Sequence, residues 1–127
     1  FRSSLQHLDA QLLMWDMRRN LNADPLPARR SVIHFQYADA PPAQRKWWLV
    51  VEADGEVDLC SVDPGFDVDL YAACDLRTMT AIWMGYETVK RALSQRALLL
   101  TGDRKIATNM QAWLGLSPLA KVERMAS

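Results

Sequence analysis

Two histidines, two cysteines and a spaced run of aspartates are the side chains of this 127-residue sequence best suited to chemistry. His7 stands beside Asp9 and reads as a surface residue, while His34 alternates to the wetter face of a strand. Neither has a cysteine or carboxylate pair at metal-ligand spacing, which argues against zinc. Cys60 and Cys74 form no Cys-x-x-Cys pair and read as reduced, mostly buried thiols of a cytosolic protein. Asp58, Asp63, Asp67, Asp69 and Asp75 invite a calcium reading. A loop begun at Asp63 puts Val68 where the sharp-turn glycine belongs and Cys74 where the bidentate glutamate belongs, so the template fails. These carboxylates read instead as turn, cap and solvated-face residues. Thr101-Gly-Asp-Arg-Lys105 lacks the glycines and the Lys-Ser/Thr ending of a phosphate loop, and a strand-to-helix turn capped by Asp103 explains it. The sequence holds no Gly-x-Ser-x-Gly elbow. The expectation is a chain with no catalytic residue, no metal and no cofactor, and not an enzyme.

Bulk takes the place of chemistry. Five Trp, six Met, three Phe and three Tyr exceed what a small sheet needs to seal it. The elements that must position them follow from periodicity. Residues 4–19 read as a helix, with Leu5, Leu8, Leu12 and Trp15 on one stripe and Leu13, Met14 and Met17 widening it toward a second contact. Pro25 and Pro27 break it. Three alternating strands follow: Ser31–Tyr37, with Ile33, Phe35 and Tyr37 on one face; Lys46–Glu52, with Trp47, Leu49 and Val51; and Glu56–Val62, with Val57 and Leu59. Asp54-Gly55 marks the tight turn between the second and third. A fourth strand is expected near Val68–Ala72. Asp75 caps a helix whose apolar face is Leu76, Met79, Ile82 and Trp83, with Gly85 as its stop. A short helix over about 87–95 leads to the strand Leu98–Thr101, whose unbroken apolar run predicts burial on both faces. The final helix carries Ile106, Met110, Trp113 and Leu114 on one face, and Gly115 and Pro118 end it.

Composition bounds the class. The length predicts one domain spanning 1–127, with its sheet and later helices over 30–116. Half of the residues are apolar and 24% are charged, which suits a packed core and argues against disorder. Net charge is zero, yet residues 45–85 sum to −5 and residues 86–127 to +4. A neutral domain with an acidic middle is a poor binder of DNA, where phosphate contacts supply much of the affinity. No apolar run reaches the length of a membrane span and no signal peptide or peroxisomal ending is present, so a cytoplasmic location is expected. The chain begins at Phe1, which raises the expectation that it was cut from something longer. Trp15, Trp47, Trp83 and Trp113 are expected to point into one interior, with Met79, Met84 and Met110 as polarizable lining. A filled core and a lined pocket share this pattern.

The order of elements, with Asp75-Leu-Arg-Thr-Met79, Trp83-Met-Gly85, Leu100-Thr-Gly-Asp103 and Trp113-Leu-Gly115, resembles the sterol carrier protein type 2 family over about 30–116. Nearly the whole chain resembles the C-terminal region of certain bacterial HxlR-type winged-helix regulators, through Leu13-Met-Trp-Asp-Met-Arg-Arg19, Trp47-Trp-Leu-Val-Val51 and Pro64-Gly-Phe-Asp-Val-Asp-Leu70. The resemblance implies an α+β fold, a mostly antiparallel five-stranded sheet with helices over one face, and a tunnel for acyl chains, sterols or similar molecules. By position it implies a lining of Phe35, Trp47, Leu49, Leu59, Leu70, Met79, Trp83, Met110 and Trp113. It implies a ligand-sensing or accessory domain of a bacterial transcriptional regulator, with DNA contacted only through an upstream winged helix and with homodimerisation open. The alternatives are a lipid-carrier or assembly module, free or appended to an enzyme, and a plugged member that serves only to pack or dimerise. An acyl chain of about sixteen carbons would gain roughly 10 kcal/mol gross on burial, at ~0.8 per methylene, before binding entropy is subtracted.

Overall fold

The computed structural model describes residues 9–115. Five strands, β1 (Ser31–Tyr37), β2 (Lys46–Val51), β3 (Val57–Cys60), β4 (Leu70–Cys74) and β5 (Leu98–Gly102), form one sheet in the order β3-β2-β1-β4-β5. The helices are α1 (Ala10–Asn20), α2 (Leu76–Trp83), α3 (Val89–Ser94), α4 (Arg104–Thr108) and α5 (Met110–Leu114), with a 3-10 turn at Pro42–Gln44. The sheet is mixed rather than a mostly antiparallel meander. β1 runs parallel to β4, with Phe35 opposite Ala72, while the other three pairings are antiparallel. The cause lies in the connection: the long segment after β3 returns the chain to the far side of β1, a crossover that alternation within one strand does not reveal.

One face of the sheet carries the core. Ile33, Phe35 and Tyr37 of β1 lie level with Trp47 and Leu49 of β2, Leu70 and Ala72 of β4 and Leu98 of β5, and all eight are buried. All five helices contribute to the same cluster, so they cover that face together. Leu76, Met79, Ile82 and Trp83 form the buried stripe of α2, as their spacing predicts. Asp75 Oδ1 accepts from the Thr78 amide at 2.7 Å and caps it. Gly85, at φ +85°, continues the turn beyond its end.

Other expectations are corrected. Asp9 is extended and caps α1 through the Gln11 amide, so the helix expected over 4–19 begins at Ala10; Leu5, His7 and Leu8 lie outside the described residues, as does Pro118. The buried stripe of α1 is Ala10, Leu13, Met14 and Met17, whereas Leu12 and Trp15 are exposed. Trp15 therefore does not join the other tryptophans; the Arg18 guanidinium lies 5.2 Å from its ring centroid. The fourth strand starts two residues later than expected, at Leu70. β5 is not buried on both faces, because it is an edge strand and Leu99 points to solvent at 57% exposure. The final helix is two short helices joined at Asn109. The Trp113 indole donates to the Ile106 carbonyl at 2.8 Å across that join.

The face away from the helices is less wet than alternation predicts. Val32, Trp48 and Val50 form a second buried cluster, with Val68 and Cys60 packed against it. His34 is buried there rather than solvated. Its ring stacks on Trp48, directly opposite in the register, at 4.3 Å, and meets Tyr71 edge-on. Nδ1 lies 3.0 Å from the Trp47 carbonyl.

Candidate functional site

Asp63, Asp69 and Asp75 of the acidic run, and Asp103 after it, bond to backbone amides. Asp63 Oδ1 accepts from the Gly65 amide, Asp69 Oδ2 from the Val32 amide, and Asp103 Oδ1 from the Ile106 amide, each within 3.0 Å. Arg29 bridges Asp69 and Asp103 at 3.1 and 3.4 Å. Among the described residues no group of three or more His, Cys, Asp or Glu is placed to hold a metal ion.

The nine residues expected to line a tunnel come together between sheet and helices. Phe35, Trp47, Leu49, Leu70, Met79, Trp83, Met110 and Trp113 belong to one buried cluster, and Leu59 packs against it part-buried. Their polar atoms are already engaged. The Trp47 indole donates to the Gln44 carbonyl at 2.7 Å, and the Trp83 indole to Asp16 Oδ2 at 2.6 Å. An indole bonded within the protein anchors its ring, since a buried N–H is costly to leave unpaired. These side chains pack together between sheet and helices.

Open space is present at one end of the sheet. A cavity of about 500 Å³ opens at the carboxyl ends of β1 and β4, beyond Tyr37 and Cys74, and reaches the start of β5 at Ala97 and Leu99. A smaller one of about 250 Å³ lies near Leu26, Val51 and Gly55. None of the nine residues lines either. The larger cavity has a topological cause. β1 and β4 run side by side in parallel, but the chain leaves β1 toward β2 and leaves β4 toward α2, on opposite sides. Strand ends that part in this way leave a crevice between their connections.

The walls of the crevice are mainly apolar, and its rim is charged by Asp39, Asp75, Arg45, Lys46 and Arg96. Burial holds the Cys74 thiol up to about 12, with Asp75 and Asp39 adding to the effect. Burial also pushes Tyr37 well above the usual phenol range, helped by Cys74 and Asp39. Its hydroxyl donates to Met14 Sδ at 3.1 Å. Cys60 is shifted up as well, by burial and then by Asp58. At neutral pH both cysteines are thiols, poor nucleophiles and poor metal ligands.

Sequence reasoning missed this crevice because its walls come from four strand ends and a helix-strand turn that only the register brings together. One signal was present. The stretch Ser94-Gln-Arg-Ala97 ends a helix without a glycine, and Arg96 takes the left-handed conformation there at φ +59°. It is the single non-glycine residue among those described with positive φ.

No family model matches the sequence, and no curated protein matches it significantly. Solved structures share the fold. The palmitated sterol carrier protein 2-like 2 of Aedes aegypti aligns at 17% identity and TM-score 0.58, over 84% of this chain and 96% of that one. The UbiJ ubiquinone synthesis protein, a sterol-carrier-type structure, aligns at 16% identity and TM-score 0.57, over 89% and 90%. The inverting sec-alkylsulfatase Pisa1 of a Pseudomonas species aligns at 17% identity and TM-score 0.58, over 80% of this chain but 16% of that one. The chain thus has a sterol-carrier-protein-like α+β fold, found both as nearly a whole protein and as a part of a much larger one.

Proposed function

We propose that this domain binds a hydrophobic small molecule or lipid and performs no chemistry of its own. The observation that carries the reading is the open, mainly apolar cavity of about 500 Å³ at the diverging ends of β1 and β4. That volume falls within the range of small-molecule pockets, roughly 300–1,000 Å³. The sterol-carrier-like fold supports the reading, since one protein that shares it has been solved palmitated.

As for context, the resemblance of Leu13–Arg19, Trp47–Val51 and Pro64–Leu70 to HxlR-type regulators supports a ligand-sensing accessory domain in the bacterial cytoplasm. A winged helix would lie upstream and DNA would be contacted only through it. α1 would pass the ligand's effect to that domain or to a second subunit, because its Leu12 and Trp15 face is left exposed. Coupling requires that the ligand prefer one placement of that helix. In a polypeptide joining the two domains, ligand should shift operator affinity; an unchanged affinity removes the sensor role.

The second reading is a carrier or assembly module, supported by the fold occurring as nearly the whole of the mosquito protein. Native mass spectrometry of the purified chain, before and after exposure to a panel of fatty acids, sterols and aromatic metabolites, tests the shared core of both readings. A discrete added mass identifies the ligand class. An apo mass unchanged across the panel leaves a packing or dimerisation unit.

A further inference from the structure

Three cations on the crevice rim have no carboxylate partner among the described residues. Arg45, Lys46 and Arg96 form no ion pair among the described residues, although five such pairs occur elsewhere. The two carboxylates on the same rim are engaged as backbone acceptors. Asp39 Oδ1 takes the Leu76 amide at 2.9 Å, and Asp75 Oδ1 takes the Thr78 amide at 2.7 Å. Arg45 is partly committed too, its Nε donating to the Ala40 carbonyl at 2.8 Å. Lys46 and Arg96 are exposed at the mouth of this apolar space, and among the described residues neither side chain has an ion-pair or hydrogen-bond partner.

The backbone at Arg96 points the same way. Its amide bonds the Leu93 carbonyl at 3.1 Å and the Ala97 amide bonds the Ala92 carbonyl at 2.9 Å, the closing turn of α3. Glycine is the usual occupant of such a left-handed helix stop, because any Cβ is strained there. An arginine at this position carries a conformational cost that glycine would avoid. Strained residues of this kind concentrate at binding sites, where the surroundings hold them in place.

Resting on the reading of the crevice as a hydrophobic-ligand site, we infer that it takes amphiphiles with an anionic head. The apolar tail lies against Ala73, Ala97 and Leu99, and Arg96 with Lys46 holds a carboxylate or phosphate at the mouth. Arg96 presents a planar fork suited to either group, and Lys46 adds a second positive charge. The neighbouring Cys74 stays a neutral thiol at physiological pH, and the three rim cations outnumber the two rim carboxylates, Asp39 and Asp75.

The test compares decanoate, decyl phosphate and decanol by titration calorimetry with the intact chain, at low and raised salt. The anions should bind about tenfold tighter than the alcohol, the order expected of one or two partly exposed charge pairs, and salt should shrink the gap. Arg96→Gly should abolish the preference, leave decanol affinity unchanged and melt no lower than the parent, because glycine relieves the left-handed strain. Lys46→Gln should reduce the preference in part. Equal binding of decanol and the anions, or a preference that survives Arg96→Gly, overturns the headgroup assignment while the hydrophobic-ligand reading stands. Binding of none of the three overturns both.

Discussion

Single residues show where local chemistry suffices and where it does not. Asp75, Asp103 and Gly85 do what their neighbours in sequence require, as caps and as a stop. Gly102 is different. At φ +131° a Cβ there would sit 2.3 Å from the Asp69 carbonyl oxygen, on the neighbouring strand. Gly102→Ala should therefore cost about 2–4 kcal/mol, combining backbone strain with a clash that only strand movement relieves. Gly65→Ala, at φ +84° with nothing within 4 Å of the added carbon, should cost only about 1 kcal/mol of strain. Urea unfolding of the two variants checks the difference; equal losses would mean that the contact with Asp69 is unimportant. The need for glycine at 102 was not legible, because its cause is a backbone atom on another strand.

At the scale of elements, α1 is the instructive case. Its sequence offers two overlapping apolar stripes, and periodicity favoured the one through Leu12 and Trp15. The fold buries the other, Ala10, Leu13, Met14 and Met17, against β3 and α2. The exposed aromatic keeps part of its ring under Arg18. Met14→Ala should cost about 2–5 kcal/mol by leaving a cavity beneath Tyr37, while Leu12→Ser should stay within about 0.5 kcal/mol. Thermal melts of both decide which stripe faces the core. The apolar faces of the later helices were placed correctly because each has only one, although the last is broken in two at Asn109. β5 misled for the opposite reason: an unbroken apolar run fits a central strand, but its position at the sheet edge exposes Leu99.

The whole molecule sets the response to alkali. Cys74 titrates near 9.0 in an ordinary environment and is held up to about 12 in the folded chain, and Tyr37 is shifted in the same direction. The unfolded chain therefore loses these protons first. Stability should be flat below about pH 8 and fall between about pH 9 and 12 by up to ~1.4 kcal/mol per pH unit for each group in play. Urea midpoints across that window should decline, and Cys74→Ala should flatten part of the decline. A midpoint constant to pH 11 would show that neither group is shielded as the structure places it. The same burial predicts that Cys74 alkylates far more slowly at pH 8 than an unhindered cysteine.

The sequence by itself determined which strand residues share a face, the caps at Asp75 and Asp103, and most of the bulky side chains between sheet and helices, Trp15 excepted. These depend on periods of two and 3.6 and on turn chemistry, all local. Strand neighbours, the parallel β1–β4 pair and the crevice at its end were decided only by tertiary structure. A crossover changes which strand ends meet without changing any local pattern. Phe35 faces the interior whichever strand lies beside it, but Lys46, Tyr37, Cys74 and Arg96 share a cavity only because β4 returned to the far side of β1.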